Sequence, residues 1–313
     1  MCKLKFLITG ANGQIGKGLI PKLTEKYGLN TVIATDIGPK SCIPNCNYET
    51  LDVTNKENFE YLIKANNINC LIHLAVVMSA LGEKNVFTTK QVNVDSVLSS
   101  FELSNKYNLK LFIPSSIAVY GGIYDKSNVS VSINPKPTTF YGVSKVLMEN
   151  LGNYYKNRYG LDFRSLRYTG VISPYEFNYN SSSYYATEIF FKAVKEKKYT
   201  ININKERRLP FCHLDDIVNG TIKFLEAPRE KISKGIYNIE GLNFTPNEIV
   251  KEIKKIIPEF KESYDIKEQD RITSDWPQSL SYLEACSDWD WNPNYKNIDI
   301  LVRDMINEVR NKV

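Results

Sequence analysis

The stretch that decides the fold class is "FLITGANGQIGKGL", residues 6–19. An apolar run stops at Thr9, and Gly10, Gly13 and Gly16 follow at intervals of three. Glycines after a strand and before a helix permit a tight turn, and they let backbone N–H groups approach a phosphate at the positive end of the helix dipole. The pattern therefore predicts a strand, a turn and a helix that together bind a pyrophosphate.

The first 170 residues repeat this alternation of short apolar runs and helical patterns. Continuous rather than alternating apolarity indicates strands covered on both faces, and therefore a parallel sheet. The predicted strands are "KLKFLIT", "TVIAT", "CLIHLA", "LKLFIPSS" and "FRSLRY", and the predicted helices cover residues 15–27, 58–65, 92–107 and 141–159. The fold class expected is α/β, with a doubly wound parallel (Rossmann) sheet.

Beyond residue 170 the rhythm becomes irregular, and a loop rich in Tyr, Ser and Asn, "SPYEFNYNSSSYY", comes first. We expect residues 1–170 to form the nucleotide-binding domain, which includes the catalytic groups. Residues 171–313 would form a smaller α/β region that mainly binds substrate, with some segments returning to the core. Two helix ends are marked: Gly160 ends the helix over 141–159, and Thr245, Pro246 and Glu248 form a capping box.

The acid after the second strand selects the dinucleotide. "TVIATD" ends in Asp36, 20 residues after Gly16, where a carboxylate accepts hydrogen bonds from the adenosine ribose hydroxyls. A carboxylate repels a 2′-phosphate, so the sequence favours NAD over NADP. The plainer alternative is a structural turn with a solvated aspartate.

A second aspartate, Asp52 in "LDVTN", has two possible roles. It could bind the adenine amino group, with the Val53 backbone beside it. It could instead only cap or turn the chain beside Thr54.

The reacting groups are predicted in "YGVSK" and "FIPSS". Tyr141 and Lys145 are four residues apart on a helix and share one face. A nearby ammonium favours the phenolate of a tyrosine whose ordinary pKa is about 10, which makes the pair a candidate general base. Ser115 and Ser116 end a strand, where a hydroxyl can orient the substrate oxygen.

Composition excludes several other classes. The net charge of +5 is scattered, and no basic cluster with interleaved aromatics predicts nucleic-acid binding. No apolar run is long enough to span a bilayer, and no targeting segment is visible, so we expect a cytoplasmic protein if it is bacterial; a mitochondrial location stays open if it is eukaryotic and processed. His73 is expected to be a buried structural residue. The cysteines, Cys42 and Cys46 included, lack metal-site spacing, so we expect reduced thiols and no metal.

Taken in order, these motifs resemble the extended short-chain dehydrogenases over nearly the whole chain: T-G-x-x-G-x-x-G, the aspartate after strand 2, S-S-x-x-x-Y-G and Y-x-x-x-K. Several segments resemble the branch that oxidises the C3 hydroxyl of L-threonine with NAD, namely "HLAVVMSALGEKN", "RYTGVIS", "YYATEIF", "LPFCHLDDIVNGTIKFLEAP" and "SDWPQSL". The resemblance implies 2-amino-3-oxobutyrate as the product and a homodimer built through the helices over 92–107 and 141–159.

The resemblance also assigns roles. Tyr141 would be the base, Lys145 would hold the nicotinamide ribose and lower the tyrosine pKa, and Ser116 would bind the substrate hydroxyl. The implied substrate contacts are Ser79, Ser116, Tyr141, Ser183 and Trp276, although Trp276 could also be an ordinary core aromatic. The implied cofactor contacts are Gly10, Gly13, Gln14, Ile15, Gly16, Asp36, Ile37, Asp52, Val53, Leu74, Ala75, Asn93, Tyr141, Lys145 and Tyr168.

Departures from the family pattern fall on the substrate side. Thr169 stands where the family has proline, Tyr184 where it has an acid, and Ser281-Tyr282 where it has two aspartates. Two alternatives therefore stay open. One is a nucleotide-sugar epimerase or dehydratase of the same superfamily, with Arg207 and Arg208 as anion-binding candidates. The other is a non-catalytic NAD-binding protein.

Overall fold

A computed structural model describes residues 4–122, 125–176 and 181–312. Cys2 and the centre of the tyrosine-rich loop lie outside this range. The central sheet contains eight strands, and every strand pairing in it is parallel. Its members are β1 (Phe6–Thr9), β2 (Val32–Asp36), β3 (Asn47–Thr50), β4 (Cys70–His73), β5 (Lys110–Phe112), β6 (Ser115–Ser116), β7 (Phe163–Tyr168) and, numbered below in chain order, β11 (Ile236–Asn238).

The strand order is β11-β7-β5-β4-β1-β2-β3, and β6 pairs with β7. The chain leaves β1 toward β2 on one side and returns to β4 on the other. Open parallel sheets bind ligands in the crevice at such a reversal, outside the carboxyl ends of the strands. The predicted doubly wound α/β fold is confirmed.

Helices cover both faces of this sheet. On one face, α1 (Gln14–Tyr27) and α8 (Leu214–Glu226) pack on side chains such as Ile8 and Ile72. On the other face, α2 (Lys56–Ala65), α5 (Ser96–Lys106) and α6 (Phe140–Tyr159) pack on alternate residues such as Leu7 and Leu71. The strands are therefore buried on both sides, which explains their continuous apolarity.

Most of the remaining elements pack around a second core, whereas Ala285 and Trp289 of the helix over Leu283–Trp289 pack into the core of the first sheet. The helices are α3 (Ser79–Gly82), α4 (Val86–Lys90), α7 (Tyr185–Lys195), α9 (Pro246–Ile256), α10 (Glu268–Ser274), α11 (Leu283–Trp289) and α12 (Ile298–Arg310). The strands are β8 (Gly170–Ile172), β9 (Lys198–Ile201), β10 (Leu209–His213), β12 (Leu242–Phe244) and β13 (Lys261–Tyr264). They make a sheet ordered β12-β10-β8 and a β13-β9 pair. The division at residue 170 stays a prediction, while β11 and α8 of the later half belong structurally to the first sheet.

Two sequence predictions about elements need correction. β3 was missed because it is an edge strand whose side chains are half-buried or exposed, so it carries no apolar run. The helix predicted over 92–107 is not uniform: a π-helical turn over Gln91–Asp95 precedes α5. Such turns are frequent at functional sites.

The helix ends were predicted correctly. Gly160 ends α6 in the left-handed conformation, with φ +71°. At the start of α9, Thr245 accepts from the backbone N–H of Glu248, and the Glu248 side chain accepts from the backbone of Thr245, with Pro246 at the first helical position. Both ends follow from local chemistry, because the groups that satisfy the free backbone atoms are close in sequence.

Candidate active site

A cavity of about 520 Å³ opens at the carboxyl ends of the central strands. It runs from the glycine turn after β1 to the start of α6. Its walls include every residue predicted to contact cofactor or substrate except Asn93: Gly10, Gly13, Gln14, Ile15, Gly16, Asp36, Ile37, Asp52, Val53, Leu74, Ala75, Ser79, Ser116, Tyr141, Lys145, Tyr168, Ser183 and Trp276. Gly10 and Trp276, which are 266 positions apart in the sequence, thus meet in one site.

Two glycines of the turn lie where any side chain would collide with neighbouring backbone atoms. Gly10 has φ +67°, and a Cβ there would lie 2.6 Å from the backbone nitrogen of Ala75. A Cβ on Gly16 would lie 2.1 Å from the carbonyl oxygen of Ala11. These glycines are therefore required by the close approach of turn, strand and helix, as the motif predicts.

The start of α1 offers hydrogen-bond donors to the cavity. Gly13 is the N-cap and supplies no side-chain cap for the first turn. The amide nitrogen Nε2 of Gln14 is buried and has no protein partner. A donor left unpaired in a cavity wall, beside the positive end of a helix, fits a pyrophosphate oxygen. The residues present therefore suit a dinucleotide.

The carboxylate of Asp36 is oriented by two backbone N–H groups. Asn12 donates to Oδ2 at 2.9 Å and Ile37 donates to Oδ1 at 2.8 Å. The side chain is half-exposed at the end of β2 and forms part of the cavity wall. A carboxylate held in this way would accept from ribose hydroxyls and repel a 2′-phosphate, and that contact stays a prediction.

Asp52 makes the predicted turn and also lines the cavity. Its Oδ1 accepts from the backbone N–H of Thr54 at 2.9 Å and from the Thr54 hydroxyl at 2.8 Å, which makes a turn. It also lines the cavity beside Val53. Thr54 is not the helix cap: Asn55 caps α2 by accepting from Asn58 N–H. Contact of Asp52 with adenine stays a prediction.

Asn93 is the one predicted cofactor residue that does not line the cavity. It lies in the π-helical turn, and its amide pairs with the Val77 backbone, accepting from N–H at 2.8 Å and donating to the carbonyl at 2.9 Å. Both polar atoms of the side chain are thereby occupied. Asn93 therefore supports the Val77 wall of the cavity, and its contact with the cofactor stays a prediction.

At the other end of the cavity lie Ser116, Tyr141 and Lys145. Tyr141 and Lys145 occupy successive turns at the start of α6, and the Lys145 ammonium is 5.6 Å from the centroid of the Tyr141 ring. Lys145 Nζ donates to the carbonyl of Pro114 at 2.7 Å. Ser116 ends β6, and its hydroxyl accepts from Ala118 N–H at 3.1 Å. The geometry brings the three groups into one cluster.

The two neighbouring serines have different surroundings. Ser115 is fully buried and its hydroxyl donates to Glu149 at 2.6 Å. Ser116 lies beside Tyr141, and a hydrogen bond from Ser116 lowers the tyrosine pKa. Alternation along the strand thus directs Ser116 to the reacting groups and Ser115 to the interior.

Burial dominates the proton affinities in this cluster. It raises the pKa of Tyr141 to about 12, against the opposing effect of the Ser116 hydrogen bond. It lowers the pKa of Lys145 to about 8, against the opposing effect of Glu149. The expectation that Lys145 lowers the tyrosine pKa is not met in the protein alone. Desolvation of the phenolate is the larger effect, and the ammonium is held by the Pro114 carbonyl.

The predicted substrate side is built from three elements around the same cluster. Ser79 begins α3 and is buried, Ser183 precedes α7, and Trp276 follows α10 with only 7% of its surface exposed. Trp276 belongs both to the core of the smaller region and to the cavity wall, so its two proposed roles are compatible. The altered residues Thr169 and Tyr184 also line this part.

Several further wall residues were not among the predicted cofactor and substrate contacts. The apolar ones are Leu51, Val76, Val77, Met78, Val92, Pro114, Ile117 and Val171, and the polar ones are Asn12, Ser115, Ser181 and Ser182. Apolar wall residues cannot be told from core residues by pattern, because both follow buried strands. Asn12 could have been found, since it lies inside the glycine motif.

The histidines are not reacting groups. His73 is buried between Thr9 and Ser96, with ring nitrogens 2.9 and 3.0 Å from their hydroxyls, and burial lowers its pKa to about 3. This confirms its structural role. His213 caps α8 by accepting from Asp215 N–H. Neither histidine lines the cavity.

In the described residues, no group of His, Cys, Asp and Glu side chains is arranged to hold a metal ion. Nor does any helix within those ranges have the length and apolarity needed to cross a membrane.

A doubly wound fold, a glycine turn after the first strand, an aspartate at the end of the second strand and a Ser/Tyr/Lys cluster, all in the wall of one cavity, define the class of protein. The protein is an NAD-dependent oxidoreductase of the short-chain dehydrogenase type. The model of the NAD dependent epimerase/dehydratase family matches residues 6–239. The chain belongs to that family.

Relatives and solved structures agree with this assignment. The mitochondrial L-threonine 3-dehydrogenase of Bos taurus is 34% identical over 97% of this chain and 82% of its own length. An uncharacterised epimerase/dehydratase of Staphylococcus aureus is 36% identical over 93% of this chain and 92% of its own. The crystal structure of L-threonine dehydrogenase from Phytophthora infestans superposes with a TM-score of 0.95, at 34% identity, covering 99% of this chain and all of that one.

Proposed function

We propose that the protein oxidises the C3 hydroxyl of L-threonine to 2-amino-3-oxobutyrate with NAD+. The observation that carries the proposal is the shared cavity: the Ser116, Tyr141 and Lys145 cluster adjoins the wall formed by Ser79, Ser183 and Trp276. Relatives named L-threonine 3-dehydrogenase, similar over nearly the whole chain, support this substrate.

The proposed reaction transfers one hydride and one proton. The C3–H bond breaks and its electron pair leaves with the hydrogen, while the hydroxyl proton passes to the phenolate oxygen of Tyr141. The C3–O bond becomes a carbonyl, so the products are 2-amino-3-oxobutyrate and NADH. Bound NAD+ supplies the hydride acceptor and a positive charge that favours the phenolate of Tyr141.

The chain's own residues orient the substrate. Ser116 holds the hydroxyl oxygen against Tyr141, so that the proton moves along an existing hydrogen bond. Lys145, protonated below its pKa of about 8, adds positive charge beside the phenolate and would reach the nicotinamide ribose. Ser79, Ser183 and Trp276 would together meet the ammonium, carboxylate and methyl groups of the amino acid.

Substrate preference follows from these contacts. Threonine should be favoured over serine by burial of one methyl group, which is worth roughly 10- to 200-fold in kcat/KM. The wrong epimer at C3 cannot present its hydrogen to the nicotinamide and its hydroxyl to Tyr141 together, which is a loss of orientation. L-allo-threonine should therefore be a poor substrate. The changes at Thr169 and Tyr184 would act on KM.

A nucleotide-sugar epimerase or dehydratase would use Arg207 and Arg208 to bind the diphosphate of its substrate at the cavity. Arg207 is instead paired with Asp270, at 3.1 and 3.2 Å, and Arg208 with Glu248 and Asn243. Neither arginine lines the cavity. Cations already neutralised by carboxylates are poor partners for a diphosphate, so this observation favours the amino acid substrate.

The test is the absorbance at 340 nm of the purified protein with NAD+ and a panel of substrates. The panel contains L-threonine, L-allo-threonine, L-serine and UDP-sugars. We expect L-threonine to give the fastest formation of NADH in this panel. No NADH from L-threonine at high concentration, together with turnover of a UDP-sugar, would replace the proposal by the epimerase. Binding of NAD without turnover of any member would favour the non-catalytic alternative.

We also propose a homodimer formed through α5 and α6. Val143, Leu147 and Tyr154 are exposed at 48%, 39% and 52%, and they lie along one side of α6. Large apolar side chains in a row on a helix indicate an interaction surface. Light scattering coupled to size exclusion should give a molar mass of two chains. Replacing Leu147 by Glu should reduce the measured mass to that of one chain.

A further inference from the structure

The side chain of Asn12 joins two parts of the chain at the adenosine end of the cavity. Asn12 occupies the third position of the glycine motif. Its Oδ1 accepts from the backbone N–H of Cys42 at 2.8 Å, and its Nδ2 donates to the carbonyl of Lys40 at 3.2 Å. The glycine turn is thereby tied to the segment that follows β2.

That segment is anchored in the core by Ile43 and is otherwise held by side-chain hydrogen bonds. Residues 37–46 contain no helix or strand. Tyr48, on β3, holds them from the other side, because its hydroxyl donates to the carbonyl of Gly38 and lies 3.5 Å from Asn12 Nδ2. Asn12 also fixes Asp36, since its backbone N–H donates to Oδ2. One residue thus contacts both the ribose-facing carboxylate and the loop behind it.

We propose that Asn12 is a positioning residue for the adenosine half of NAD. Its side chain holds the loop over residues 38–42 in place before the dinucleotide binds, so binding does not have to order that loop. Asn12 lies far along the cavity from the Ser116, Tyr141 and Lys145 cluster. Its loss should therefore weaken binding of the adenosine half and leave the chemical step unchanged. This role concerns the cofactor and is independent of the substrate proposed above.

The experiment is calorimetric titration with ADP-ribose, which lacks the nicotinamide ring. In Asn12→Ala the Kd should rise about tenfold, the effect of one or two net hydrogen bonds. KM for NAD+ should rise in parallel, while kcat at saturating NAD+ stays unchanged. The matched control is Asn47→Ala, because the Asn47 side chain also bonds to backbone, at Leu29 O, but does not line the cavity.

A second variant covers the case in which Asn12→Ala does not fold. Tyr48→Phe removes the hydroxyl that meets Asn12 and Gly38, and a smaller rise in the Kd for ADP-ribose should follow. An unchanged Kd in a folded Asn12→Ala protein overturns the proposal, and so does an equal loss in Asn47→Ala. If ADP-ribose binding weakens as expected but L-threonine is not oxidised, the role of Asn12 stands and the proposed substrate fails.

Discussion

Glu149 on α6 and Arg167 on β7 form a two-bonded ion pair in the interior. Arg167 Nε donates to Glu149 Oε1 at 2.8 Å and Nη2 donates to Oε2 at 2.7 Å, and each side chain is at most 5% exposed. Glu149 also accepts from Ser115, and Arg167 donates to Tyr120 and to the carbonyl of Val131. The pair therefore connects β6, β7 and α6 directly behind the reacting groups.

Breaking this pair should destabilise the protein strongly. Glu149→Gln leaves the buried guanidinium without its counter-charge, and removal of one partner of a buried pair typically costs about 3–5 kcal/mol. Urea unfolding measures the loss. Glu284→Gln, which breaks the partly exposed pair with Lys234, is the control and should have a much smaller effect. Equal losses in the two variants would contradict the argument.

Asp36 should determine the choice of dinucleotide. Wild type is expected to prefer NAD+, and Asp36→Ala should shift the ratio of the two kcat/KM values toward NADP+ by about 10- to 100-fold, because juxtaposed like charges cost several kcal/mol. Steady-state rates with each dinucleotide give the ratio. A wild type that uses NADP+ equally well, or an unchanged preference in the variant, would show that Asp36 does not face the ribose.

Tyr141 should carry the proton transfer. Tyr141→Phe removes only the hydroxyl, so turnover should fall by about 10²- to 10⁴-fold while NAD binding survives. Lys145→Ala should reduce both turnover and NAD binding. Tyr61→Phe, on the exposed side of α2, is the matched control and should behave as wild type. Near-normal turnover of Tyr141→Phe at saturating substrate would remove this residue from the mechanism.

Ser116 should also set the pH dependence of the reaction. Its hydrogen bond lowers the pKa of Tyr141, which burial raises to about 12. Ser116→Ala removes that bond, so the tyrosine will hold its proton to higher pH. In a plot of kcat/KM against pH, the rising limb will therefore shift to more alkaline values. Ser115→Ala loses a bond to Glu149 instead and should leave the limb in place. A limb unmoved by Ser116→Ala would contradict the predicted contact.

His73 should make the fold sensitive to acid. Its native pKa is about 3, below the ordinary value of 6.5, because burial disfavours the charged form. Between those values the unfolded chain binds a proton that the native chain does not, so stability falls as pH falls, by at most about 1.4 kcal/mol per pH unit for this one site. As pH is lowered from 7 to 4, the free energy of unfolding should fall less steeply in His73→Asn than in wild type. An identical slope would show that His73 does not titrate on unfolding.

The sequence predicted those features that depend on neighbours along the chain. The glycine turn, the capping box at Thr245 and the end of α6 at Gly160 follow from backbone chemistry within a few residues. The pairing of Tyr141 with Lys145 follows from the helical repeat. The parallel sheet was predictable because strands buried on both faces are continuously apolar. β3 was not predictable, because an edge strand that is half-exposed carries no such pattern.

The tertiary structure decided which polar groups are free to act. The sequence offered both Ser115 and Ser116, and only packing assigns one to Glu149 and the other to Tyr141. It offered Arg207 as an anion site, and packing pairs it with Asp270. The proton affinity of Tyr141 was likewise decided by burial. Hydrogen bonding and desolvation depend on atoms from distant segments, so the sequence alone determined the class of fold and chemistry, and the folded arrangement determined which side chains take part.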